Sequence, residues 1–554
     1  MKRLNVVARA VGPDRARSEL LPLLMGKVED DDEVLLAMAE QLGDMVEALG
    51  GGASAVALLE PIGALANVEE TVVRDAAVEA GKAVVGALPE RVAIESVVPV
   101  VRELAGGDWF TSRVSVCGLL PAVMAAVSDA TASTELRELY GAVCHDDTPM
   151  VKRAAAKAVG EAAAAVPKDV LLADIMPLFK ELVMDDQDSV RHLAIENMAA
   201  IARLLTEEEN ATHLLSLVKA CSEDKSWRVR FSIAKDSFAL CQALGADVTT
   251  SQLVPSFVRL LQDPEAESRA AACKNASNLC DLVGSERFAA EVMPAFGDIA
   301  GDDSPAVRTA LSKAVVECIP KLGQELATSV AMPLVMRFLS DELQDVRLNV
   351  LQELTGVSSV LGAELLQSTL LPVVRGLGED PQWRVRKAVV EQMPALAAAL
   401  GAGVFESKLL PLYFSTFHDV VSSVRTASTA VLRPLTDALG ADWAAARAVP
   451  KLRELMSSGG NYLTRITVLY AAGSLLAAED NGSLADDLLP MMLERVSDTV
   501  PNVRFSAVKV LGRLAGKVDN ERIAAEVLPA VSGLVKDEDA DVAYYAGVAV
   551  EALS

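Results

Sequence analysis

Apolar positions along this chain alternate between two helical patterns. In the first, a compact apolar stretch surrounds a proline, as in Leu370-Leu371-Pro372-Val373-Val374. In the second, apolar residues fall at i, i+4, i+5 and i+8, as at Val346, Val350, Leu351 and Leu354, and line one face of a 3.6-residue helix. An aspartate separates the two, and its short side chain can hydrogen-bond free backbone groups in a turn. A glycine follows the second pattern, as in Leu361-Gly362, and predicts a left-handed helix stop. The pattern therefore predicts pairs of helices joined by short polar turns.

The pairs repeat. Arg74, Arg113, Lys152, Arg191, Arg230, Arg269, Arg308, Arg347, Arg386 and Arg425 succeed one another at 39 residues. After one 40-residue step the column resumes at Arg465 and Arg504, and Ala543 holds its last place. Six residues before these positions stands aspartate: Asp146, Asp185, Asp224, Asp263, Asp302, Asp341, Asp380, Asp419, Asp498 and Asp537. Valine precedes most of the basic residues, and prolines and glycines form columns of their own, including Pro255, Pro333 and Pro372, and Gly245, Gly362 and Gly440. A fixed period between about 20 and 50 residues marks a solenoid of stacked supersecondary units. Two helices in 39 residues match the HEAT repeat rather than a 33- or 34-residue unit. The expected fold is an all-α HEAT-repeat α-solenoid, a horseshoe-shaped superhelix of stacked antiparallel helix pairs.

The basic-column places from Leu35 to Ala543 give fourteen full repeats, preceded by Met1–Gly12, which reads as the tail of a second helix from an incomplete first repeat. Length alone would suggest three or four domains at about 150 residues each. No linker interrupts the columns, so residues 1–554 are expected to form one continuous array. A hydrophobic share of 51% with only 4% aromatic suits helices packed through Ala, Val and Leu, and no apolar run reaches the ~18 residues of a spanning helix. The seven cysteines form no C-x-x-C pair and fall mostly in helical stretches, as small buried hydrophobes would. Lys2 and Arg3 begin a poor signal peptide, broken by Arg9, so the glycosylation-type triplets at Asn210, Asn275 and Asn481 are read as coincidental. These points place the chain in the cytosol, with the nucleus as a second location. The net charge of −26 argues against a nucleic-acid phosphate binder. It favours solubility by self-repulsion, or acidic stretches such as Glu29–Glu33 that meet basic partners.

Catalytic signals are missing. The four histidines (145, 192, 213 and 418) have no metal-ligand spacing, and no nucleophile elbow, phosphate loop or dinucleotide fingerprint occurs. Gly50-Gly51-Gly52 follows a helix end at Leu49 and reads as a connector. Catalytic carboxylates come as a unique converging pair, so an aspartate repeated in every turn is structural, and the arginine column reads as its partner along the stack. No cofactor or metal is expected, and no enzymatic activity. Departures from the repeat carry more information. Trp109, Trp227 and Trp383 lie in turns just before the basic column, and Arg228 and Arg384 follow the last two. Each ring can fold onto its own helix pair, but Trp beside Arg in a surface turn is the composition of an interface hot spot. Tyr462 and Arg465, in Gly-Gly-Asn-Tyr-Leu-Thr-Arg, mark another unusual turn at the 40-residue step.

At these turns the chain resembles the scaffold (A) subunit of protein phosphatase 2A. The residues that carry the resemblance are Arg-Ser-Glu-Leu-Leu-Pro (17–22), Glu-Glu-Thr-Val-Val-Arg-Asp (69–75), Gly-Gly-Asp-Trp-Phe-Thr-Ser-Arg (106–113), Asp-Asp-Thr-Pro-Met-Val (146–151), Glu-Asp-Lys-Ser-Trp-Arg-Val-Arg (223–230) and Asn-Val-Arg-Phe (502–505). The resemblance implies a fifteen-repeat scaffold without catalysis of its own, a monomer when free, that holds two proteins on its inter-helix turns. About residues 13–360 would take an interchangeable regulatory B-type subunit, through Trp109, Pro149, Met150, Lys152, Arg153, Trp227 and Arg228. About residues 361–554 would take the catalytic serine/threonine phosphatase subunit, through Trp383, Arg384, Tyr462, Arg465 and Val500. Lys152 stands where the family has arginine, and Val421-Ser422-Ser423 lacks an aromatic expected there. The competing reading is a nuclear transport receptor of the importin-β kind, another acidic helical array, which would carry a continuous acidic insert not seen here. Neither reading involves nucleic acid or a membrane.

Overall fold

The computed structural model describes residues 3–28, 30–457, 461–477 and 482–554. Among them the chain forms helices and turns, with no strand. Glu29, Gly459, Gly460 and Asn481, which figure in the sequence reading, lie outside the described residues. The chain divides into two compact units, Met1–Val283 and Gly284–Ser554, and the same helix pair recurs in each.

In the first unit one pair is Leu215–Ser222 and Trp227–Leu244, joined by the turn that holds Asp224. The valine before the basic column anchors such pairs. Val73, Val151, Val190 and Val229 in the first unit have no exposed surface, nor do Val307, Val346, Val385, Val424, Val503 and Val542 in the second. Each buried valine contributes about 1.5 kcal/mol or more of hydrophobic free energy. Neighbouring second helices approach closely through small residues: a Cβ on Gly473 would stand only 2.2 Å from a methyl of Val510.

The glycine column behaves differently from the left-handed stop expected of it. Gly245, Gly362 and Gly440 have φ of 81°, 80° and 99°, but ψ near 160° rather than the helical value. That conformation is open to glycine and strained for other residues. It lets the second helix turn straight into the first helix of the next repeat without a loop: Leu354–Leu361 and Ala363–Leu377 meet at Gly362 with a bend of 120°. The proline column also has a local effect. Proline lacks an N–H and its ring crowds the carbonyl four residues back. Just before Pro255 and Pro372 the first helix widens to π-helical turns at Thr249–Leu253 and Leu366–Leu370.

Arginine and aspartate columns meet across repeats. Arg191 donates from Nε and Nη2 to both carboxylate oxygens of Asp224, at 2.8 and 2.7 Å. Its Nη1 donates to the carbonyls of Asp185 and Asp186 in its own turn, at 2.8 and 3.1 Å. The carbonyls thus belong to the arginine's own repeat, not the neighbouring one. Asp224 in turn accepts from the Ser226 N–H at 2.7 Å. In the first unit the same cross-repeat pair forms at Arg113–Asp146 and Arg230–Asp263. In the second it forms at Arg308–Asp341, Arg347–Asp380, Arg386–Asp419, Arg465–Asp498 and Arg504–Asp537. Bidentate charge-assisted bonds of this kind fix geometry as well as energy. Lys152 reaches Asp185 with a single bond of 3.1 Å, and a lysine ammonium has no fork to hold its own turn as well.

Other polar groups are spent in packing. All seven cysteines are buried free thiols. Asn210 is buried and donates to the carbonyls of Ala202 and Ala243, while Asn275 donates to those of Ala234 and Lys235. Neither amide is presented for glycosylation. Among the described residues no single helix is long and apolar enough to cross a membrane.

Removing one partner of a buried pair leaves the other charge uncompensated. Asp224→Ala is therefore expected to destabilise the protein by about 3 kcal/mol, and Arg191→Met/Asp224→Leu to recover most of that loss. Lys152→Arg, which supplies the missing fork, should stabilise it by about 1 kcal/mol. Urea unfolding of the variants side by side checks all three.

Candidate functional site

The turns between paired helices and the first residues after them carry several exposed apolar side chains. Where the column aspartate is present it braces the turn: Asp146 Oδ1 accepts from the Thr148 N–H at 2.8 Å, Asp380 from Gln382 at 2.8 Å and Asp498 from Val500 at 3.0 Å. The arginine one period earlier holds the carboxylate from the other side. Burial would raise the Asp146 carboxyl, but the Arg113 guanidinium and the Thr148 N–H outweigh it and hold the group below the usual carboxylate range. Asp419 and Asp498 behave alike, burial being outweighed by Arg386 and Arg465 respectively. At Asp537 the bond from Arg504 is itself the largest effect and lowers the carboxyl.

In the first unit Trp109 caps the N-terminus of the helix Phe110–Ala126 with its ring 78% exposed. Phe110 beside it and Val72 in the preceding turn are also exposed. Pro149 opens the helix Pro149–Ala164, where its missing N–H costs nothing, and Met150 is exposed with the Arg153 guanidinium against its sulfur. Trp227 opens the helix Trp227–Leu244 half-buried, with the Arg228 guanidinium 5.0 Å from its ring centre and the Phe231 ring at 6.4 Å. Lys152 belongs to the ion-pair column and spends its ammonium on Asp185.

In the second unit Trp383 opens the helix Trp383–Leu400, and Arg384 lies 4.8 Å from its ring centre. The two Trp–Arg pairs thus repeat one geometry, an indole flanked by a guanidinium whose outer edge stays in solvent. Tyr462 opens the helix Tyr462–Leu476, is 38% exposed, and follows Asn461, whose side-chain Oδ1 accepts from the Leu463 N–H at 3.1 Å. Asparagine therefore takes over as cap where the aspartate is missing. Arg465 still reaches Asp498, at 2.8 and 3.0 Å. Val500 is half-buried at the N-cap of the helix Pro501–Gly512.

Sequence reasoning missed three turn residues. Val72, Phe110 and Val420 are exposed, Val420 at 89%, one residue before the segment that lacks an aromatic. The signal was present: an apolar residue two to five places before the basic column has no core to enter. Trp443, the remaining tryptophan, lies outside the turns and is buried against Phe405, ring centres 6.2 Å apart.

Similarity to known proteins bears on the repeat fold. The PPP2R1A-like HEAT repeat family matches residues 246–323, the general HEAT repeat matches 488–518, and the PIK3R4-like middle domain matches 144–283. The chain is an all-α HEAT-repeat solenoid. It is 46% identical over 176 residues to the alpha isoform of the 65 kDa regulatory subunit of serine/threonine-protein phosphatase 2A from Arabidopsis thaliana, which is 32% of this chain and 30% of that protein. It is 44% identical over 178 residues to the protein phosphatase 2A scaffold subunit of Dictyostelium discoideum, 32% of this chain and 30% of the relative. It is 49% identical over 162 residues to the beta isoform of the 65 kDa regulatory subunit from Homo sapiens, 29% of this chain and 27% of the relative. The matched stretch thus spans less than a third of these relatives. Among solved structures, a chain of the Kap95p–RanGDP structure superposes with a TM-score of 0.51 at 11% identity, covering 94% of this chain and 77% of that one. At that identity the likeness concerns the fold alone.

The depressed aspartates set a pH dependence. Their folded pKa lies below the unfolded one, so their stabilisation is complete above the unfolded value of about 4 and is lost as pH falls through the folded values. The melting temperature is expected to change little from pH 7 to pH 5 on their account and to fall steeply below about pH 4. Asp498→Asn, which removes one such carboxyl, should lower the melting temperature at pH 7 and flatten its decline in acid. Calorimetric scans across this range check the sign.

Proposed function

We propose that this chain is a non-catalytic scaffold of the protein phosphatase 2A kind, which holds an interchangeable regulatory subunit together with the catalytic subunit of a serine/threonine phosphatase on its inter-helix turns. The observation that carries the reading is the pair of Trp–Arg turns, one in each unit, each a half-buried indole with an exposed arginine beside it on a backbone pinned by the arginine–aspartate column. Relatives 44–49% identical over about 30% of the chain are 65 kDa regulatory subunits of protein phosphatase 2A, together with one named as its scaffold. Trp109, Pro149, Met150, Lys152, Arg153, Trp227 and Arg228 would serve the regulatory subunit. Trp383, Arg384, Tyr462, Arg465 and Val500 would serve the catalytic subunit, with Val420 as an added apolar contact.

The physics of such a site is that of a protein interface. A tryptophan in a fixed turn loses little conformational freedom on binding and supplies a large apolar surface. The guanidinium beside it can take a carboxylate in two parallel bonds. Tethering two partners to one chain raises the concentration of each at the other, which is the contribution a scaffold makes without chemistry of its own. The working location that follows is the cytosol, with the nucleus as a second.

A pull-down with purified type 2A catalytic subunit tests the reading. The intact protein should bind, and Trp383→Ala/Arg384→Ala should weaken binding by about 3 kcal/mol, more than a hundredfold. Because Trp383 is half-buried the double variant should melt somewhat lower than the parent, so binding is compared at a temperature where both are folded. Failure of the intact protein to bind would contradict the proposal.

A further inference from the structure

A second surface lies away from the turns, on the faces of the helices Pro501–Gly512 and Ala540–Leu553, which pack side by side. Lys509 extends between two aromatic rings, its ammonium 4.9 Å from the centre of Phe505 and 4.7 Å from that of Tyr545. Those rings meet edge to face at 4.9 Å, and Tyr544 stands perpendicular to Tyr545 at 5.2 Å. Tyr544 is 67% exposed and Val548, one helical turn on, is 44% exposed. Arg513 follows Lys509 by one turn and is exposed.

The patch carries two basic side chains that have no carboxylate partner among the described residues. Elsewhere in the same unit the basic side chains of Arg447, Arg453, Arg495, Arg504 and Arg522 each meet a carboxylate. Among the described residues neither Lys509 nor Arg513 does, in a chain that carries a net charge of −26. An ammonium held against ring faces is partly stripped of water, so it rewards an incoming anion more than a lysine in open solvent would. Asp541 and Glu551 lie near the two ends of the second helix and would repel an acidic ligand there, leaving the middle of the surface as its place.

We propose that these two helices form a docking surface for an acidic peptide segment of another protein. Its carboxylates would pair with Lys509 and Arg513, and an apolar side chain would lie across Tyr544 and Val548. Aromatic and basic groups together also suit single-stranded nucleic acid. Two cations one helical turn apart are too few to form the basic groove that tracks a phosphate backbone, so the surface favours the peptide. This inference stands on the patch itself and does not depend on the scaffold reading.

Fluorescence anisotropy with the full chain and a fluorescein-labelled Glu-Asp-Glu-Phe-Glu-Asp-Glu peptide tests it. The expected result is saturable binding that weakens with added salt. Lys509→Met keeps the apolar stem between the rings and removes the charge, and should weaken binding about tenfold. Arg513→Ala and Tyr544→Ala should each weaken it as well. Lys274→Met, at the same place in the repeat but without flanking rings, should leave it unchanged. Binding that is equal in the parent and Lys509→Met, or no saturable binding by the parent, would overturn the proposal. So would tighter capture of a labelled oligo-dT than of the peptide. Thermal melts of each variant separate lost binding from lost folding.

Discussion

One interaction organises both units: a guanidinium that holds two turns at once. Arg191 takes two carbonyls of its own turn and both carboxylate oxygens of Asp224 in the next; Arg230 and Arg386 repeat that grip, and Arg504 does so with the carbonyl of Asp498. A helix pair has one apolar face toward each neighbour, and buried valines and leucines supply the adhesion. Hydrophobic contact is non-directional, however, and would tolerate some sliding of one pair over the next. The ion pair removes that freedom at the turn edge. Its worth lies less in net stability than in geometry, since a buried pair barely outperforms an apolar substitute while a broken one is costly.

Deviations from the column show what it does. Arg74 is buried, yet Gly107 stands where the next turn would place its aspartate, and its Nε has no hydrogen-bond partner. Its Nη1 still holds the carbonyls of Val68 and Glu69, so the arginine orders its own turn even where the link forward is missing. Lys152 is the reverse case, with the forward link kept and the fork lost. Both lie in the first unit, where Trp109 and Met150 display exposed apolar side chains. Rigid turns that display large side chains are the feature on which the proposed scaffold role rests.

Much of this was legible from residue spacing. The column of basic residues gave the period, the valine beside it marked the core, and the tryptophans at Trp227 and Trp383 announced themselves by sharing one register. What stayed hidden depends on neighbours in space or on backbone detail. The glycine column signals positive φ, but only the structure shows ψ near 160° and the helices that meet there without a loop. The widened turn precedes Pro255 and Pro372 but not Pro294 or Pro411, and no residue signature separates the two cases. Val420 and Phe110 look like ordinary apolar residues until exposure is known. The Lys509 surface joins Phe505 to Tyr545, one repeat apart, and no local pattern brings them together.

The central claim is that the aspartate column pre-organises the turns that display the candidate site. Hydrogen–deuterium exchange at the turn amides of Gln187, Ser226, Gln382, Val421 and Val500, each bonded to the aspartate two residues earlier, tests it most directly. The account predicts protection at these amides close to that of the helices they precede. Exchange there at the rate of unstructured peptide, with the helices still protected, would contradict it.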